Sequence, residues 1–161
     1  MSVADRLAGL GLSLPTVAAP VGAYVPAVRS GVLVHTSGQL PFVAGGLPAT
    51  GLVGAGVTPE AAHGLAATAA LNAVAAVAAL LAEETGEEPA VALERVTRVV
   101  KVVGFVASDP SFTGQPGVVN GASELLGELF GEAGRHARSA VGVAALPLGS
   151  PVEVEIVVET R

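Results

Sequence analysis

The spacing of apolar positions changes period several times along the chain, and each change marks an element. Val3, Leu7 and Leu10 fall on one helical stripe, which predicts a short N-terminal helix closed by Gly11 and Pro15. From Tyr24 the pattern turns extended: Tyr24 to Arg29, a turn at Ser30-Gly31, then Val32 to Ser37, which together read as a hairpin. Pro41 to Val57 is rich in Gly, Pro and Ala and follows neither period, so it reads as a long surface loop. Thr58-Pro59-Glu60 supplies a capping hydroxyl, a proline at the first helical position and an acid in the first turn. The helix it opens has Leu71, Val74, Val77 or Ala78, and Leu81 on one stripe, with alanines elsewhere.

After an acidic turn from Glu83 to Pro89, the run Val96 to Val106 is β-branched on both alternating faces. A strand apolar on both faces is covered on both, and a chain this small has helices enough for only one. That predicts an oligomer. A second helix over 115–130 has Leu125, Leu126, Leu129 and Phe130 as its apolar side, and strands over 136–143 and 152–159 flank the turn 146–150. The order ββαβαββ predicts an α+β fold: a single mixed sheet with two helices on one face, plus the short N-terminal helix. Residues 1–18 read as a helical appendage and 19–161 as the main domain.

Composition narrows the function classes. A net charge of −6 with eight scattered Lys and Arg gives no basic stripe for phosphates, so nucleic acid is not the expected partner. Without cysteine there is no disulfide, thiolate nucleophile or thiolate metal site. The pairs Glu60/His63 and Glu132/His136 have helical spacing but no second histidine nearby, so no metal is expected. Gly64 to Ala82 is uncharged and long enough to cross a bilayer, yet it is mostly alanine around Asn72 and reads as a buried helix, not a membrane span. The first residues carry an acid and lack a signal-peptide core, so a cytoplasmic location is the default.

The phosphate-binding P-loop and the G-x-S-x-G nucleophile elbow are both absent. What remains is a small polar set in a hydrophobic chain. Arg138 lies among core-facing strand residues, and a guanidinium there needs an anion: a small organic carboxylate, or Glu153 or Glu155 in an ion pair within the sheet. Glu153 and Glu155 share the outer face of the last strand as surface acids, unless Glu153, nearer the turn, holds a water. Gly38, in Ser37-Gly38-Gln39, is either a strand-end turn or a place where a ligand meets the backbone. Tyr24, the only tyrosine, reads as a ligand wall or subunit contact, and Asn120 as a helix cap or a site residue.

Taken in order, Ala19-Pro20-Val21-Gly22-Ala23-Tyr24, Thr36-Ser37-Gly38-Gln39-Leu40-Pro41, Val99-Val100-Lys101 through Phe105-Val106, Val119-Asn120, Ala137-Arg138-Ser139, Leu146-Pro147 and Val152-Glu153-Val154-Glu155 resemble the Rid family, also called YjgF/YER057c/UK114. The family includes deaminases of reactive imines and enamines and proteins labelled endoribonuclease L-PSP. The resemblance implies a chorismate-mutase-like fold and a homotrimer with sites in the clefts between subunits. It implies that Arg138 grips a substrate carboxylate, that Glu153 positions the hydrolytic water, and that Tyr24, Ser37, Gly38 and Asn120 line the cleft. The implied reaction is hydrolysis of a 2-imino acid to a 2-keto acid and ammonia, with no cofactor. A trimeric module that binds small carboxylates without turning them over is one alternative. Endoribonuclease activity is another, and the acidic charge and few aromatics speak against it. The chain departs from the family at Ala140, where many members have cysteine, and across Gly131 to His136.

Overall fold

A computed structural model describes residues 1–20 and 22–161; Val21, part of the first motif above, lies outside the described residues. Helix α1 (Val3–Gly9) opens on a reciprocal capping box, in which the Ser2 hydroxyl accepts from the Asp5 amide and the Asp5 carboxylate accepts from the Ser2 amide, each at 3.0 Å. Its buried face, Val3 and Leu7, joins the main core, and Arg6 donates to the Glu128 carbonyl at 3.1 Å.

Strands β1 (Ala27–Ser30) and β2 (Leu33–Thr36) form the expected hairpin, with Ser30 opposite Leu33. The turn therefore falls on Gly31 and Val32, one residue later than the sequence suggests, and Gly31 takes the positive φ of 62° that a tight hairpin asks for. Tyr24 precedes β1 because Pro26 has no N–H to give the ladder; its carbonyl instead accepts from the Ser37 amide at 2.8 Å. Helix α2 (Pro59–Thr85) starts where Thr58 accepts from the Ala61 amide and stops at Gly86, in the left-handed region at φ 73°. The stretch read as an acidic turn contains a short helix α3 (Pro89–Ala92) and a 3₁₀ turn over Leu93–Arg95. Strand β3 (Val96–Ala107), helix α4 (Gln115–Phe130), strand β4 (Ala137–Val143) and strand β5 (Val152–Thr160) complete the order.

The sheet runs β1-β2-β5-β3-β4, with β4 parallel to β3 and the other pairs antiparallel. This is the α+β single mixed sheet with helices on one face. Strand β3 is irregular in an instructive way. Val99 and Val102 are three residues apart and yet both fully buried, because the register against β5 shifts between Val99 and Lys101. The bulge turns the second half of β3 over, so Val102 and Val106 face the helices while Val103 and Phe105 face outward. Among the described residues no helix covers that outer side, and Val28 and Val141 are 54% and 45% exposed on it.

Helix α2 is long and apolar enough to cross a membrane, but 61% of its most apolar stretch is buried inside the domain. Ala66, Ala73, Val77 and Leu81 are among the residues it lays into the core, and α4 packs beside it with Leu126 and Leu129 fully buried. Small residues set the closeness of the two helices. A Cβ at Gly121 would stand 2.9 Å from the carbonyl carbon of His63, which is backbone and cannot rotate away. Gly121→Val is therefore expected to lower stability by about 2 kcal/mol, typical of overpacking, or about 5 °C in a thermal melt of a chain this size. A melting temperature equal to wild type would refute that packing.

The 41–57 segment differs from the surface loop expected. Val53 and Val57 are buried, the Val53 amide donates to Ala107 and its carbonyl accepts from Asp109, and Gly51 donates to Gly149. Isolated apolar residues without a period gave no sign of this stitching, because the partners lie far along the chain.

Candidate functional site

Two clusters form at separate places on the chain. The first surrounds Glu153. At the end of β2 the Gln39 amide donates to Val154 at 2.8 Å and its carbonyl accepts from the Val154 amide at 3.0 Å, which brings Gly38 against the start of β5. The Glu153 carboxylate lies on the bare α-carbon of Gly38; a Cβ there would stand 2.8 Å from the Glu153 Cδ and closer still to an oxygen. Glycine at 38 is thus explained by its neighbour, not by a turn. Tyr24, Pro26, Leu40, Phe42 and Leu148 help close a pocket of about 440 Å³ over these two residues. Among the described residues Glu153 has no ion-pair partner. Burial in this apolar surround, with Glu155 on the same face, raises its carboxyl above the ordinary carboxylate value. Ser37 does not line this pocket: its hydroxyl donates to the Val25 carbonyl at 2.6 Å and ties down the segment that carries Tyr24.

The second cluster surrounds Arg138. Its side chain leaves β4 toward α4, where Nη1 donates to Asn120 Oδ1 at 2.8 Å and to Ser123 Oγ at 3.1 Å, and Nη2 donates to the Pro116 carbonyl at 3.3 Å. Asn120 does not cap α4, whose N-cap is Gly114; it sits in the second turn and orients the guanidinium. All three acceptors are neutral. With no carboxylate among them, Nε and one Nη2 hydrogen are left to meet an anion.

Two further residues enter here: His136, whose spacing from Glu132 did not amount to a metal site, and Ser123, which no motif marks. His136 Nδ1 lies 2.6 Å from the Gly134 carbonyl, which can only accept, so Nδ1 carries the proton in the neutral ring. Nε2 then accepts from the Ser123 hydroxyl at 3.0 Å, leaving that oxygen's lone pair for Arg138. The altered stretch from Gly131 to His136 thereby acquires a purpose: it props the serine that props the arginine. The signal was available, since Ser123 follows Asn120 by three residues and shares its helix face.

The ion pair within one sheet that sequence spacing allowed does not form. Strands β4 and β5 are consecutive in the chain but separated by β3. Arg138 pairs through Val102 with Ile156, a buried row under the helices, whereas Glu153 pairs with Phe105 on the uncovered side. Two strand spacings and three residues of stagger put the two α-carbons about 14 Å apart, with the side chains on opposite faces. Tyr24, Gly38 and Glu153 are thus brought together, as are Arg138 and Asn120, but one chain does not join the two groups. Among the described residues no three His, Cys, Asp or Glu side chains converge as a metal site would require.

Comparison with known proteins places the chain. The model of a family described as "YjgF/chorismate mutase-like, putative endoribonuclease" matches residues 4–160. Protein TCP17 of Trypanosoma cruzi is 48% identical over 98% of this chain and 93% of its own length. A crystal structure of an Agrobacterium tumefaciens protein of unknown function superposes with a TM-score of 0.87 at 43% identity, covering 99% of this chain and 92% of the other. A Shewanella oneidensis protein described as a "putative endoribonuclease" superposes with a TM-score of 0.89 at 34% identity, covering 99% of both chains. With its five-stranded sheet and its motifs in order, the chain belongs to the YjgF/chorismate-mutase-like family.

Proposed function

We propose that the protein hydrolyses reactive 2-imino acids, or their enamine tautomers, to 2-keto acids and ammonia in clefts between the subunits of a homotrimer. One observation carries this reading: among the described residues Arg138 has unused donors and no anion, while Glu153 has a carboxylate and no cation, on opposite faces of the same sheet. A second copy laid against the uncovered face, where Val28, Phe105 and Val141 are left without helices, is what can bring an arginine to a glutamate. The family resemblance supplies the number three and the substrate class.

The chemistry asks little of the protein. The imine carbon is already electrophilic, so orientation and a well-placed base suffice. Arg138 forks onto the substrate carboxylate, held at the correct angle by Asn120 and Ser123. Glu153 accepts a proton from water as its oxygen attacks C2 and passes it to the imine nitrogen, giving a carbinolamine; it then takes the carbinolamine hydroxyl proton and delivers it to the same nitrogen as C2=O forms, the C–N bond breaks and ammonia leaves. A raised carboxyl pKa suits both halves of that exchange.

The test is ammonia release from 2-iminopropanoate generated in situ, which the purified protein should accelerate; no acceleration over buffer would sink the proposal. RNA cleavage by the same preparation distinguishes the ribonuclease alternative. The Glu153 carboxyl also fixes a pH dependence. Its pKa in the folded chain lies above the unfolded value, so the folded state holds the proton more tightly and loses stability as pH rises through that window. Activity should rise over the same window, since the base must be ionised. Glu153→Gln should then melt higher than wild type at neutral pH, converge with it in acid, and lose about a hundredfold or more in rate. Parallel melting curves at all pH values would contradict the assignment.

A further inference from the structure

Beside the Glu153 pocket lies a larger chamber of about 630 Å³. The two share Ala18, Ala19, Gln39 and Phe42, so they lie side by side against the same residues. One wall is the strap Pro15–Ala19 that leads from α1 toward Tyr24, the other is the tip of the 41–57 segment at Ala44 and Gly45, and Asn72 of α2 forms the floor. These are the N-terminal and loop segments that the proposed chemistry leaves without a role.

Both walls are fixed. The Leu12 amide donates to Leu7 at 2.9 Å, and Leu12, Leu14 and Val17 pack against the core, so the strap is anchored beyond α1. Asn72 uses both amide hydrogens on the opposite wall, donating to the Leu40 carbonyl at 2.8 Å and the Phe42 carbonyl at 3.1 Å. Beyond Phe42, Val43 and Gly46 exchange a pair of backbone hydrogen bonds that close the tip. This accounts for an amide in the middle of an alanine helix. The surface the walls enclose is mostly Pro, Val, Ala and Phe, with no ionisable side chain among its lining residues. Its volume is in the range of small-molecule sites.

We infer that this chamber receives the substrate side chain, so that the protein's substrates are 2-imino acids bearing apolar side chains of about four carbons or more, not the smallest members of the class. This rests on the deaminase reading. With the carboxylate on Arg138 of one subunit and C2 at Glu153 of another, the remaining substituent on C2 points away from both polar groups, toward the apolar Ala18, Ala19 and Phe42 that the two cavities share. A methyl group would leave the chamber without contacts. Each further buried methylene adds about fourfold in affinity.

The experiment compares imines generated in situ by an amino-acid oxidase from alanine and from leucine, with catalase present, reading initial ammonia release. The leucine-derived imine is expected to show a kcat/KM about tenfold or more above the alanine-derived one. Thr16→Trp and, separately, Val17→Phe, which narrow the chamber, should lower that ratio at least about fivefold. Equal rates that neither variant shifts, with turnover still dependent on Arg138, would overturn the chamber assignment and leave the deaminase intact. If neither imine is turned over, the deaminase reading fails, and calorimetric titration with 4-methyl-2-oxopentanoate against pyruvate decides the chamber: tenfold tighter binding of the larger acid upholds it, equal binding overturns it.

Discussion

Arg138→Ala should lower kcat/KM for any 2-imino acid by at least about a hundredfold while the chain stays folded. The effect is large because a charge-assisted, two-pronged contact to the substrate carboxylate is lost, and truncating one partner of such a pair typically costs about 2–5 kcal/mol. The fold survives because the guanidinium reaches out to α4 from an edge strand, and its acceptors, Asn120, Ser123 and the Pro116 carbonyl, can turn to water. Arg138→Lys should recover little, since an ammonium offers a point charge where the site is shaped for a fork. Steady-state kinetics together with a melting curve check both halves. A variant that retains wild-type kcat/KM would remove the arginine from the mechanism and the carboxylate from the substrate.

Gly38→Ala separates activity from stability in the other half of the site. The added methyl has nowhere to go but into the Glu153 carboxylate, and that group is the free end of a flexible side chain. The strand pairing through Gln39 is untouched, so the melting temperature should move by no more than about 2 °C, on the order of 1 kcal/mol or less. The carboxylate, however, must shift by an ångström or more, and displacement on that scale is worth about a hundredfold in a positioned reaction. Measuring rate and melt on one preparation is decisive: full activity would mean that Glu153 acts from elsewhere or not at all.

Local chemistry made most of the fold legible. The Thr58-Pro59-Glu60 start, the helical stripe through Leu126 and Leu129, and the alternation in 152–159 all correspond to elements, because caps and periodicity are encoded within a few residues. Strand order is not encoded that way. Nothing near Arg138 or Glu153 announces that β3 inserts between their strands, which is why a salt bridge looked available and is not. The bulge at Val99 to Lys101 was hidden for a related reason: β-branched residues on both sides of it erase the alternation that would have exposed a change of face. At the site, Gly38 beside Glu153 and Asn120 beside Arg138 followed the motifs. Ser123 and His136 did not, because their importance comes from a hydrogen-bonded chain closed only in three dimensions.

A core filled by alanine and valine has an optical consequence. The chain has one tyrosine and no tryptophan, and that tyrosine, half exposed at the mouth of the Glu153 pocket, lies where a ligand would pass. Tyrosine fluorescence, excited at wavelengths where the four phenylalanines do not absorb, therefore originates from a single known position. If the proposed site is the right one, the unmodified protein carries its own reporter of occupancy, and titration with a non-fluorescent keto acid would change its emission without a label.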